Sequence, residues 1–394
     1  MSLGSPAELR PTRAEISLDA LEANYSAVRD QVRPRAVIGV VKADAYGHGA
    51  VPVARCLQSA GIDHLAVAML EEAAELRGNG ISTPILVMGA LEPTQMEAVA
   101  RCEVTPVLFR EDQLAALERC ASAGSRKLPF HLKVDTGMGR LGVRWDGLTE
   151  FLQALGRCPH VEMQGVFSHL ACADDPDHSL TQSQMDRFQQ ILELIRSLGH
   201  APKMCHLANS AAVLDRPPAW LTHVRPGLLL YGYRPSGRNQ AMALRPVMRV
   251  VSRIVFIKEV LPGDSVGYGA TFTAVQPTRI ATVAAGYDDG VLRSLSNRGH
   301  FLVRGRRVPI VGRVSMDLTT LDVSKLPQAS LGDEAVFIGE QGGVSQGADE
   351  VAVEAGTISW EILCGIGWRV PRMYLRGGSI VEVRSRFDLE APAG

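Results

Sequence analysis

Between residues 35 and 233 the chain carries eight short apolar runs: RAVIGVVKA, HLAVAML, PILVMG, VTPVLF, PFHLKVDTG, EMQGVFSHLA, MCHLANSAA and HVRPGLLLYGY. Each is nearly continuous in apolar character and stops on polar residues or glycine. Strands buried on both faces of a parallel sheet read this way, whereas a sheet with one wet face alternates. Between the runs lie helical patterns, among them PVARCLQSAG, LEEAAELRGNG, EDQLAALERCASAG and MDRFQQILELIRSLG. All four close on a glycine, the residue that caps helices in the left-handed conformation. Eight strands alternating with helices over roughly 200 residues predict an α/β fold, a (β/α)8 TIM-type barrel. A doubly wound sheet is the alternative, because counting strands does not reveal closure.

After residue 240 the texture changes to β-branched, alternating runs: PVMRVVSRIVFIKEV, TRIATVAAG, RVPIVGRVSMDLTTLDV, EAVFIG and GSIVEVRSRF. Helical periodicity nearly vanishes, which predicts a barrel domain over 1–240 and a mostly β C-terminal domain over 241–394. The length of 394 residues also exceeds what one core of at most about 250–300 residues accommodates. The acidic CADDPDHS and glycine-rich GEQGGVSQG read as exposed loops.

Composition narrows the class of partner. With 46% hydrophobic residues, 21% charged residues and a formal net charge of −1, neither nucleic acid nor an anionic membrane is favoured. The seven cysteines show no CxxC pair and no histidine spacing that would close on zinc, so no metal is expected. The opening MSLGSPAELRPTR lacks a signal peptide's apolar core, and no run approaches the ~20 apolar residues of a membrane span, so the expected location is cytoplasmic.

In a barrel of this kind the chemistry sits at the C-terminal ends of the strands. Those positions are Lys42, Arg140, His169, Asn209 with Ser210, and Arg225 with Gly227. The set is basic and hydrogen-bonding, with almost no carboxylate, as a receptacle for an anion would be. NSAA offers a hydroxyl at a strand-to-helix turn, and RPGLLLYG offers a glycine whose bare backbone can approach a phosphate closely. A serine at such a turn also serves as a helix cap. An amine partly desolvated at a strand end is a nucleophile toward aldehydes, although a lysine there can equally snorkel to the surface. Phosphate site and activated lysine together point to pyridoxal phosphate.

VVKADAYGHG, residues 40–49, makes the likeness specific: the chain resembles the alanine racemases, barrel-type pyridoxal phosphate enzymes. HLKVDTGMGRLG, FSHLA, HLANSAA, VRPGLLLYG, VGYGATFTA, AAGYDDG, VGRVSMD and RVPRMY all have counterparts in order. The resemblance implies that Lys42 carries the cofactor as a Schiff base and acts as one catalytic base. It implies that Tyr46, Ser210, Gly227 and Leu228, beside Asn209, surround the phosphate. Arg225 would face the pyridine nitrogen, with His169 under the ring. Arg140 would help seat the substrate carboxylate, steadied by Lys133, which is carbamylated in some relatives. Tyr268 would be the second base, delivered by the partner subunit together with the Met316 backbone, Tyr287 and Asp317. A site shared in this way requires a homodimer.

Removing the Cα proton from one face and returning it to the other needs a base on each side of a planar carbanion. A guanidinium at the pyridine nitrogen keeps that nitrogen unprotonated and weakens the electron sink, which favours racemisation over transamination.

Two positions depart from the family pattern. Trp360, in GTISWEILCG, stands where alanine racemases usually keep a tyrosine near the phosphate and the substrate methyl group, and an indole cannot reproduce that phenolic bond in place. Ser315, in VGRVSMD, is cysteine in some relatives. The expected activity is interconversion of L- and D-alanine, supplying D-alanine for peptidoglycan. A serine or broad-specificity racemase is the alternative. A decarboxylase of the same architecture fits less well, because such enzymes commonly place a carboxylate where Arg225 stands. A non-catalytic pyridoxal phosphate binder would leave the β domain and Tyr268 unexplained.

Overall fold

The computed structural model describes residues 10–124, 126–175, 178–235 and 242–386. The opening MSLGSPAEL and two residues of CADDPDHS lie outside the described residues. The chain groups into two units: Leu21–Ala45 with Ala50–Arg245, and the chain up to Ala20 with Tyr46–Gly49 and everything from Pro246 onward.

The first unit contains all eight expected strands: β1 (Ala36–Val40), β2 (His64–Val67), β3 (Ile85–Val87), β4 (Thr105–Leu108), β5 (Leu128–Asp135), β6 (Val161–Phe167), β7 (Met204–His206) and β8 (His223–Val224). Each pairs in parallel with its neighbour in sequence, and β8 returns to β1 through His223↔Ala36 and Val224↔Val37. The sheet is closed, which decides for the barrel over the doubly wound alternative. Near-continuous burial along β1, β2, β3, β4 and β7 explains why these runs do not alternate.

The intervening helices include Ala50–Ser59, Leu70–Gly78, Glu111–Ser122 and Ser179–Ser197. Gly61, Gly80 and Gly199 follow three of them in the left-handed conformation. Gly124 does not: its N–H donates to the Ala121 carbonyl in a tight turn with ordinary backbone.

The second unit is built on a ten-stranded sheet. Its longest strand, Met248–Val260, pairs antiparallel with Arg13–Ser17, Thr278–Val283 and Glu334–Gln341. The strand Arg13–Ser17, which the sequence reading leaves with the barrel, lies between Met248–Val251 on one side and Arg372–Leu375, in parallel, on the other. RAEIS alternates half-buried and buried positions, the signature of a strand with one covered face. GEQGGVSQG is not a loop but a hairpin: Glu334–Gln341 pairs with Val344–Gln346 around Gly342–Gly343, both at positive φ as a tight two-residue turn requires. Two short helices, Ala348–Ala355 and Ser359–Cys364, interrupt the β texture. Among the described residues no helix is long and apolar enough to cross a membrane.

Candidate active site

The backbone after β1 takes an unusual course. Ala43, Asp44, Ala45 and Tyr46 all have φ between 52° and 55°, a full turn of left-handed helix in L-residues. Each such residue costs roughly 1–2 kcal/mol, so the turn persists only where its surroundings impose it. In the barrel unit, Glu72 Oε1 accepts the Ala43 N–H at 2.6 Å and Asp44 Oδ1 accepts the Ala50 N–H at 2.6 Å. In the second unit, Arg372 Nε donates to the Gly47 carbonyl at 3.2 Å and the Tyr46 carbonyl meets His48 Nδ1 at 2.9 Å. A Cβ on Gly49 would lie 1.8 Å from the Tyr374 hydroxyl, which explains the second glycine of GHG. Lys42 opens this turn half-buried, and Tyr46 ends it buried, its phenol held protonated by burial and by Cys364.

Arg225, after β8, is 4% exposed. Its Nη1 donates to His206 Nδ1 at 2.8 Å and to the His206 carbonyl at 2.9 Å; its Nη2 donates to the Ser168 carbonyl at 2.8 Å and to His169 Nδ1 at 3.3 Å. All these acceptors are uncharged, so the guanidinium keeps its whole charge. Burial pulls its pKa down to about 9, which leaves it protonated at neutrality.

His169 is held well below the usual histidine range, first by burial and then by Arg225, Arg140, Lys133 and Lys42. It accepts from Arg225 as a neutral imidazole. Lys133, at the end of β5, is drawn down to about 8 by burial, with Arg140, Arg225 and Lys42 adding and Asp135 opposing. Among the described residues no carboxylate lies within 4.0 Å of its ammonium, which instead faces the Phe167 ring at 5.3 Å. Asp135 is turned to the backbone of DTGMG, accepting from Gly137 and Met138 at 2.9 Å and from Gly139 at 3.0 Å. That loop presents the exposed Arg140, which with Lys133, Asp135, Met138, Ser168 and His169 lines a small pocket.

After β7, Asn209 Oδ1 accepts the Ala212 N–H at 3.1 Å, so this side chain caps the helix Ser210–Asp215. Ser210 Oγ accepts the Gly227 N–H at 2.9 Å, which orients the hydroxyl to donate its own proton elsewhere. Leu228 begins a 3-10 turn whose first N–H groups have no acceptor within the turn. A hydroxyl and backbone N–H groups, on the strand-end face that also bears Lys42 and Arg225, form a donor set with the chemistry of a phosphate ester site. The residues fit pyridoxal phosphate.

The remaining expected residues belong to the second unit. Tyr268 is 72% exposed, on a turn whose Gly267, Gly269 and Ala270 all have positive φ. Tyr287, Met316 and Asp317 are brought together by Arg369: its Nη1 donates to Asp317 Oδ1, its Nη2 to the Met316 carbonyl, and its Nε to Asp289 beside Tyr287. The Tyr287 N–H donates to the Ser315 carbonyl at 2.9 Å, and a Cβ on Gly286 would stand 2.3 Å from both the Ser315 and Met316 carbonyl oxygens. Only glycine permits that approach. Trp360 sits half-buried in the helix Ser359–Cys364.

Arg369, His206 and His131 are not among the residues singled out from sequence. His206 and His131 sit inside apolar strands, where histidine reads as filling. The available signal is that His131, His206 and Arg369 each open a run already noted, HLKVDTGMGRLG, HLANSAA and RVPRMY.

The barrel and the β unit correspond to two family models, "Alanine racemase, N-terminal domain" over residues 16–235 and "Alanine racemase, C-terminal domain" over 247–374. The alanine racemase of Sorangium cellulosum is 46% identical over 379 residues, covering 93% of this chain and 99% of that protein. The crystal structure of alanine racemase from Bacillus anthracis with bound L-Ala-P superposes with a TM-score of 0.90 at 37% identity, covering 95% of this chain and 98% of that one. That of alanine racemase from Bartonella henselae with covalently bound pyridoxal phosphate gives 0.86 at 30% identity, covering 93% and 99%. Fold and sequence similarity over nearly the whole chain agree, and the chain belongs to the alanine racemase family of isomerases.

Proposed function

We propose that this chain interconverts L- and D-alanine with pyridoxal phosphate, by a two-base mechanism in which Lys42 serves one face of the substrate and Tyr268 of the partner subunit the other. The observation that carries the reading is the buried Arg225, held only by neutral acceptors beside His169 on the strand-end face that bears Lys42. Decarboxylases of this architecture commonly place a carboxylate there.

When bound, pyridoxal phosphate supplies the electron sink that makes the alanine Cα–H acidic. Lys42 would hold it covalently, and Tyr46, Ser210, Gly227 and Leu228 would bind its phosphate, with Asn209 fixing the Ser210 turn and Trp360 as a further candidate for that end. Arg225 would face the pyridine nitrogen as a donor, which would keep the ring nitrogen unprotonated. His169, which Arg225 Nη2 contacts at 3.3 Å, would lie under the ring and link Arg225 toward Tyr268 of the partner subunit.

Arg140 seats the substrate carboxylate, with the Met316 backbone, Tyr287 and Asp317 of the partner subunit. The exposure of Tyr268 in a single chain supports its use across a homodimer. Lys133 is the candidate for carbamylation: its neutral amine attacks carbon dioxide, forms the N–C bond and releases one proton, and the anion offsets Arg140. The free cysteines and the D-alanine product fit a cytoplasmic enzyme supplying peptidoglycan precursors.

Trp360 favours a second reading, in which serine or a wider range of amino acids is turned over, because indole replaces a phenol at the substrate's methyl side. The test is Cα-proton exchange in deuterated water, followed by NMR for alanine, serine, lysine and arginine separately, with Lys42→Ala as control. Exchange confined to alanine supports the first reading, and faster exchange of serine or a basic amino acid supports the second. No exchange with any of the four overturns both.

A further inference from the structure

Arg225 does not end its contacts at His206. The opposite nitrogen of that imidazole, Nε2, lies 2.8 Å from Nδ1 of His131, a residue of β5 pointing into the barrel. Both histidines are fully buried, 0% and 1% exposed. The His206 ring is stacked on Phe167 at 4.7 Å with planes 8° apart. The His131 ring fits against bare backbone: a Cβ on Gly165 of β6 would come within 2.7 Å of three of its atoms. A glycine in the middle of a barrel strand thus marks a place made for an imidazole.

A guanidinium can only donate hydrogen bonds. His206 Nδ1 must therefore be the acceptor, and the proton of its neutral ring lies on Nε2. That proton faces His131, whose Nδ1 must accept in turn, which leaves His131 also with its proton on Nε2. We propose that His131 is a positioning residue acting on Arg225 through His206, the hydrogen bonds running one way from the guanidinium into the barrel and fixing both histidines as neutral Nε2–H tautomers.

A proton added to either ring would set N–H against N–H. The charged or titratable groups acting on the pair are Arg225, His64 and His223, none of them a carboxylate that would favour such protonation. Arg225 is thereby kept in one orientation, presenting full charge to His169, over a wide range of pH.

The inference deepens the racemase reading, and only its kinetic arm rests on that reading. The first arm records histidine-selective 15N spectra of the intact holoenzyme at pH 8 and pH 6, with assignments from His131→Asn and His206→Asn. Both rings are expected to show the neutral Nε2–H pattern at both pH values. An Nδ1–H tautomer in either, or an imidazolium at pH 6, overturns the proposal whether or not alanine is racemised.

The second arm compares His131→Phe, which removes the acceptor, with His131→Asn, whose amide oxygen replaces it. Phe is expected to lower kcat for alanine about tenfold with little change in KM and to alter the absorption of bound pyridoxal phosphate, and Asn to restore most of both. A folded His131→Phe enzyme with unchanged kcat and spectrum overturns it. If that variant does not fold, the tautomers of the unaltered protein decide. Failure of the unaltered enzyme to racemise alanine would sink the racemase reading and leave the tautomer arm standing as the test.

Discussion

Arg369 Nη1 lies 2.6 Å from Asp317 Oδ1, and the same guanidinium grips the buried Asp289 through Nε at 2.8 Å. One side chain thus ties the turn bearing Tyr287 to the loop bearing Met316. Asp289 is only 1% exposed and shares its charge with Arg10 as well. In Arg369→Ala that carboxylate keeps one cation, and a loss of about 3 kcal/mol is expected in urea unfolding. The released Met316 loop should raise KM for alanine about tenfold with a smaller effect on kcat. An unchanged KM in a folded variant would show that the loop does not serve the substrate.

Gly286→Ala tests the same junction from the backbone side. A Cβ 2.3 Å from two carbonyl oxygens cannot be accommodated without separating the Tyr287 turn from the Ser315–Met316 segment. Thermal unfolding should register a loss of about 1–3 kcal/mol, in the overpacking range.

Acid should weaken the fold through the barrel histidines. Burial lowers His131 to about 3 and holds His206 well below its usual range, so the unfolded chain binds protons that the native one refuses. Stability is therefore fully present above about pH 6.5 and falls below it, by about 2 kcal/mol at pH 5 from His131 and further in the same direction from His206. Urea midpoints at pH 7.5, 6 and 5 measure the slope, and His131→Asn should make it shallower.

Lys133 acts at the other end of the scale. Its native value of about 8, set by burial, lies below the ordinary lysine value of 10.5. Between these the unfolded chain holds the proton that the native state has released, so stability rises with pH over that window, by roughly 3 kcal/mol at most. Lys133→Met should abolish the rise. In 13C-bicarbonate a carbamate resonance should strengthen as pH passes 8 from below and vanish in the same variant.

On the proposed reading, Trp360→Tyr would restore a phenol at the substrate's methyl side. The ratio of kcat/KM for alanine over serine should increase, by about tenfold if indole bulk has loosened the pocket by 1.4 kcal/mol. A falling ratio would show that tryptophan sharpens the choice.

The barrel was legible because eight strands buried on both faces leave continuous apolar runs, and Lys42, His169 and Arg225 stand out where such runs end. Arg13–Ser17 was not, because a five-residue alternating strand carries no mark of the sheet it will join. His131 and His206 were hidden for a related reason: their significance lies in facing each other across β5 and β7, a relation between strands that neither run contains. Arg369 likewise stands in a tail segment, far in sequence from the aspartates that give it meaning. GEQGGVSQG misled because paired glycines suit a tight hairpin as well as a loose loop.

The place of Arg13–Ser17 also bears on how the protein is made. The strand is translated well before both of its neighbours, Met248–Val251 and Arg372–Leu375. During vectorial synthesis it waits with both edges bare, the condition in which strands recruit foreign partners. A chain halted before Arg372 could cover only one of those edges, so the pairing of Arg13–Ser17 is completed by a strand made long after it.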